Sequence, residues 1–148
     1  MSFFKNISNA FASIGNNKIK NNLETESAEE NIVEDLVGEK IGISSEGQLN
    51  VGIQELSGYL FLEAFILSKV NIKTFEGAKL TFKGENGEFI LSSDTQEIKS
   101  DLFGKTFKHI TQISFDINDE EIERIRKGDY LTIQLNFKRK SLVFNKII

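Results

Sequence analysis

Two hydrophobic periods divide the chain. Near the start, Phe3, Phe4, Ile7, Ala10, Phe11 and Ile14 recur at spacings of three and four. At about 100° per residue they fall within an arc of roughly 120°, the width of a helical stripe that faces a packed surface. Lys5, Asn6, Ser8, Asn9 and Ser13 lie outside that arc, and Gly15-Asn16-Asn17 is a natural stop. Residues 1–20 therefore read as an amphipathic helical arm. A helix this short is marginal alone in water. It needs a surface, which its own domain, a partner protein or a second copy of the chain can supply. A membrane face is disfavoured by the few lysines and the absence of Trp.

Residues 21–40 read as an acidic linker or a second short helix. Ile32, Val33, Leu36 and Val37 recur at helical spacing before Gly38, whereas Glu24 to Glu30 has almost nothing to bury.

From residue 41 onward the period is two, and residues 41–148 read as a β-rich domain. Leu49, Val51 and Ile53 alternate with Asn50 and Gly52. Tyr59 to Leu67 is apolar in both phases, which suits a central strand covered on both sides, with a buried helix as the rival. Val70, Ile72 and Thr74 alternate with lysine and asparagine; so do Ala78, Leu80 and Phe82 with polar neighbours. Gly84-Glu85-Asn86-Gly87 predicts a hairpin turn, because Asn-Gly accepts positive φ. Residues 93–104 are polar, with a short strand expected around Ile98. Phe107, His109, Thr111, Ile113, Phe115 and Ile117 share one phase of a long strand.

A helix is expected over 119–127. Asn118 is an N-cap with Glu121 at the capping-box position. Asp119 and Glu120 suit the positive end of the helix dipole, Arg124, Arg126 and Lys127 the negative end, and Gly128 the stop. Leu131, Ile133, Leu135 and Phe137 then alternate, Lys138-Arg139-Lys140 turns the chain, and Leu142 to Ile148 returns. The expected fold is mainly β. It is an antiparallel β-sandwich or partly open barrel of about seven to nine strands with one short internal helix, preceded by the N-terminal amphipathic helix.

Composition narrows the chemistry. The 148 residues include 13 Phe and no Cys, Pro or Trp. Disulfides, thiolate nucleophiles and Cys-ligated metals are excluded, and one histidine makes no His-rich metal site. Neither a catalytic set, a metal nor a cofactor is therefore assigned. Formal net charge is -4 and is unevenly spread: residues 1–21 carry +3 with no acid, and residues 22–47 carry -7. That balance argues against general nucleic-acid binding. Phe82, Phe89, Phe107, Phe115 and Phe137 occupy the core phase of their strands, unlike the exposed aromatics of single-strand binders. No apolar run approaches the roughly 20 residues of a membrane helix and no secretory signal is evident, so a cytoplasmic setting without stable membrane insertion is expected.

Each remaining candidate has a plain structural explanation. His109 stands without a nucleophile elbow. Asp116, Asn118 and Glu120 have the alternation of a calcium loop, but Glu121 occupies the position that needs glycine, and capping explains the acids. Asp94 and Asp101 are loop acids. Lys138, Arg139 and Lys140 form the one basic cluster of the domain and can make electrostatic contacts or merely keep an edge solvated. The apolar stripe Phe3, Phe4, Ile7, Phe11 and Ile14 is the candidate partner-binding element, since buried aromatics carry much of binding energy. The expected function is a non-enzymatic interaction or structural module that docks through that stripe onto a protein partner or another copy. One alternative is a small acidic inhibitor or immunity-type protein that masks a basic site. Another is an enzyme using His109 or the loop carboxylates.

Overall fold

A computed structural model of the chain describes residues 38–103 and 108–147. The arm 1–20 with its stripe, the acidic stretch to residue 37, and Phe107 lie outside the described residues. The described chain is mainly β, with one large antiparallel sheet and one helix. Its strands are β1 (Glu39–Ser44), β2 (Gly47–Leu56), β3 (Tyr59–Ser68), β4 (Lys73–Thr74), β5 (Lys79–Gly84) and β6 (Gly87–Ser92), then β7 (Ile98–Lys99), β8 (Asp101–Leu102), β9 (His109–Asp116), β10 (Thr132–Phe137) and β11 (Lys140–Lys146). The helix α1 spans Asp119–Arg126.

Nine strands join in the order β6-β5-β10-β11-β1-β2-β3-β9-β8, and β4 pairs with β7 in a separate two-stranded sheet. The large sheet does not lie flat. Ser93, just past β6, bridges to Phe115 of β9, and the Asp94 amide donates to the Ser114 carbonyl at 2.8 Å. The first strand in the order thus meets the eighth.

Turn chemistry sets the registers. The β2–β3 turn puts both Ser57 (φ 52°) and Gly58 (φ 85°) in the left-handed region, the signature of a two-residue hairpin whose twist matches its strands. In the predicted turn between β5 and β6 only Gly87 has positive φ, at 96°, while Asn86 does not. A type I turn followed by a glycine bulge gives that pattern.

Alternation decides what faces the interior. Leu49, Val51 and Ile53 of β2, Leu62, Ala64 and Ile66 of β3, and Ile113 and Phe115 of β9 form one core. Leu80, Phe82, Ile133, Leu135, Phe137, Leu142 and Phe144 complete it from the other half of the sheet. Ile72, just before β4, Ile98 of β7, and Ile122 and Ile125 of α1 join the same cluster. The capping box of α1 forms as expected: Asn118 Oδ1 accepts from the Glu121 amide at 2.8 Å, and Glu121 Oε1 accepts from the Asn118 amide at 3.0 Å. Gly128 (φ 70°) follows the last turn.

Several expectations need correction. The strands number eleven among the described residues, with nine in one sheet. Glu39 and Lys40, assigned to the linker, already belong to β1. A register shift between Lys40 and Gly42 buries Ile41 and Gly42 side by side and erases the alternation there. The run Val70–Thr74 is mostly loop, with only Lys73–Thr74 paired. Leu131 is exposed although it precedes β10 in phase, and Tyr59 is exposed at the hairpin end of β3. Lys140 opens β11, so the turn proper is Lys138-Arg139.

Candidate interaction surface

The strand phases define two outward faces. On β6, β5, β10 and β11 the outward positions are polar or isolated. The row Ile90–Thr81–Gln134–Val143 crosses all four strands by direct pairing and separates its two apolar members by two polar ones. Ile90 is 52% exposed and Val143 is 49% exposed. Apolar residues scattered singly in this way are ordinary surface.

The outward face of β2, β3 and β9 differs. Its positions are Gln48, Asn50, Gly52 and Gln54 on β2, Phe61, Glu63, Phe65 and Leu67 on β3, and Ile110, Gln112, Ser114 and Asp116 on β9. Phe65 and Leu67 are each 1% exposed, yet neither belongs to the core cluster. Phe103 is 0% exposed and also lies outside that cluster. Its amide donates to the Lys108 carbonyl at 2.9 Å, which continues the β8–β9 register and puts it in the outward phase. Gln48, Asn50 and Glu63 are buried with them. A buried carboxylate demands donors. Glu63 accepts from the Ser114 hydroxyl at 2.6 and 2.7 Å through its two oxygens, and Gln112 Nε2 lies 3.5 Å away. Gln48 Nε2 donates to Asn50 Oδ1 at 2.9 Å. Gly52, buried between Asn50 and Gln54, leaves the middle of β2 without a side chain. A glycine inside a strand marks a place where another group approaches the backbone closely.

The basic turn occupies another part of the molecule. Lys138, Arg139 and Lys140 are exposed and border an open groove of about 880 Å³. Lys79 adds a fourth base to its rim, and Glu76 is the acid there. Lys138 adopts φ 52°, which fixes the turn.

The other candidates separate. His109 is half-buried and paired with Ser68 on β3 and Leu102 on β8. Asp94 and Asp101 are both exposed and sit on different elements. No three His, Asp or Glu side chains among the described residues are grouped so as to hold a metal ion. Of the helix acids, Glu121 is engaged in the capping box and Glu123 pairs with Arg126 at 3.2 Å, while Asp119 and Glu120 sit in the first turn.

Around α1 lies a cation–aromatic knot that sequence reasoning did not anticipate. Phe82 and Phe89 stack at 4.8 Å, and Tyr130 meets Phe82 edge-on at 5.3 Å. Arg124 lies 4.8 Å over Phe89 and pairs with Asp129 at 3.2 Å, while Asn86 donates to the other Asp129 oxygen at 3.1 Å. These contacts tie the end of α1 to the β5–β6 hairpin. Burial pushes the Tyr130 hydroxyl up to about 12, with the Glu39 carboxylate adding to the effect.

The site residues Phe3, Phe4, Ile7, Phe11 and Ile14 lie outside the described residues. The receiving candidates Phe65, Leu67 and Phe103 were not singled out from sequence. The signal for Phe65 and Leu67 was the run Tyr59 to Leu67, apolar in both phases apart from Glu63, which announced cover on both sides; Phe103 had no such signal. Among the described residues no helix is long and apolar enough to cross a membrane. No protein-family model, curated protein or solved structure shows a significant match to the chain.

Proposed function

We propose that this protein is a non-enzymatic interaction or structural module that docks through its N-terminal amphipathic segment onto a partner or another copy in an assembly. The observation that carries this is the stripe itself. Three aromatic and two branched aliphatic side chains share one arc of a short segment. An acidic tether joins that segment to a domain with its own core. Large aromatic anchors on a short helix are the usual form of a helix-in-groove ligand. A cytoplasmic setting belongs to the same reading and is supported by the cysteine-free composition. The bridge between Ser93 and Phe115 supports a partly open barrel over a two-sheet sandwich.

The test uses the full chain with Phe3→Ser, Phe4→Ser and Phe11→Ser together. Sedimentation and affinity isolation of wild type should show a defined complex, and the triple variant should lose it while its circular dichroism keeps the β signal. Association that survives the three substitutions sinks the proposal.

The acidic stretch favours a second reading, an inhibitor-type protein that masks a basic partner site. Residues 22–47 carry -7, and complementary charge would steer such an encounter. Neutralising Glu24, Glu26, Glu29 and Glu30 would then abolish binding and leave the stripe irrelevant.

A further inference from the structure

We propose that the outward face of β2, β3 and β9 is the seat of the chain's own N-terminal stripe, Phe3, Phe4, Ile7, Phe11 and Ile14, held in cis. The proposal concerns the same stripe as the docking reading but stands independently of it, because it names the surface of the chain's own sheet that the stripe fits.

Phe65, Leu67 and Phe103 are buried as completely as the core, but they point away from it. The side chains that α1 and the segments around the small sheet bury, such as Ile122, Ile125, Ile72 and Ile98, belong to the inward cluster. An aromatic ring standing on an open sheet face keeps contact with water. Exposures near zero therefore require a layer over this face, as for any sheet buried on both sides.

The stripe fits that layer in size, reach and charge. From Phe3 to Ile14 a helix rises about 17 Å. From Phe61 to Leu67 a strand runs about 20 Å. Residues 15–38 tether the stripe to the start of β1, the immediate neighbour of β2. The coil span expected for a chain of that length is roughly 25 Å, more than the width of three strands. Residues 1–21 carry three lysines and no acid, whereas the outward positions of the three strands hold Glu63 and Asp116 and no base, with Asp101 and Lys108 offsetting each other at the β8 edge. Gly52 provides the low point at which a helix can approach the sheet.

The chain has no cysteine, so single thiols introduced into the full chain report burial cleanly. Leu67→Cys probes the proposed seat, Leu91→Cys the core, and Ile90→Cys the exposed outward face. Ile110→Cys, also on the seat, serves if Leu67→Cys does not fold. In the otherwise unaltered chain the thiols at 67 and 91 should react slowly with a maleimide, and the thiol at 90 quickly. Adding Phe3→Ser, Phe4→Ser and Phe11→Ser should speed labelling at 67 by about tenfold or more and leave 91 protected, because only a local cover is lost.

Unchanged protection at 67 overturns the proposal. So does an equal rise at 67 and 91, which would make the arm part of the core. Protection at 67 that disappears on roughly hundredfold dilution of the chain assigns the cover to a second copy and overturns the cis seat. Sedimentation keeps the two claims apart. A monomer that binds nothing, yet shows the stripe-dependent protection, removes the docking function and leaves the seat standing.

Discussion

The two outward faces of one sheet follow opposite rules. On β5, β6, β10 and β11, every apolar inward residue is answered by an outward Lys, Glu, Thr, Gln, Asn or Ser, with Ile90 and Val143 as isolated exceptions. On β3 the answer to Leu62, Ala64 and Ile66 is Phe61, Glu63, Phe65 and Leu67. Both halves share the same interior, so the inward pattern cannot account for the difference. Alternation marks a face that meets water, and its loss marks a face that does not. On the buried side of β2–β3–β9 polar groups are paired with each other, as Glu63 with Ser114 and Gln48 with Asn50. Polar groups pair on the exposed half as well, Gln134 with Ser141 and Ser141 with Asn136, but there solvent can replace a lost partner.

The largest consequence is an asymmetry between outward residues that resemble each other in sequence. Phe65→Ala in the full chain should cost about 3–5 kcal/mol, the range for truncating a buried aromatic side chain. Ile90→Ala should change stability by no more than about 0.5 kcal/mol, as for surface substitutions. Chemical denaturation of the two variants checks this. Similar midpoints for both would mean that the outward face of β3 is as open as that of β6.

Much of this contrast was legible in the sequence, though not the way its parts come together. The β class, the capped helix from Asn118 to Gly128 and the long strands followed from period and cap chemistry, which are local. Strand β1 was not legible, because its bulge places Ile41 and Gly42 on the buried side together and breaks the period. The short strands β4, β7 and β8 carry two residues each, too few for any period. The sequence did mark β3 as covered on both sides. It did not place Phe103 beside that face, because Phe103 reaches it only through a register with Lys108, a tertiary fact. The knot of Arg124, Asp129, Asn86 and Phe89 joins residues far apart in the chain and has no local signature.

Tyr130 tests the interior of the open-faced half. Its hydroxyl is pushed from an ordinary 10 up to about 12, first by burial and then by Glu39. A raised pKa means that the folded chain holds the proton more tightly than the unfolded chain. The associated stability is present below pH 10 and is lost as pH climbs through 12. A shift of two units corresponds to about 2.7 kcal/mol at most. Wild type should therefore lose stability between pH 10 and 12 more steeply than Tyr130→Phe. Parallel pH profiles for the two chains would place the Tyr130 hydroxyl in solvent and open the interior at that point.

The two faces of β9 sharpen the comparison within one strand. Thr111 points inward and is fully buried, and its hydroxyl has no hydrogen-bond partner among the described residues. Ser114 points outward and donates to the buried Glu63 carboxylate. An orphan hydroxyl costs its desolvation without return, so replacing it with a methyl group of similar shape removes a penalty. Thr111→Val should stabilise the chain by up to about 1–2 kcal/mol, whereas Ser114→Ala should destabilise it by about 1–3 kcal/mol by taking the donor from a buried charge. The opposite signs are the test, since each variant deletes a single hydroxyl from the same strand and differs in the face it touches. If Ser114→Ala proves neutral in thermal unfolding, Glu63 is reached by water and the outward face of β2, β3 and β9 is not sealed.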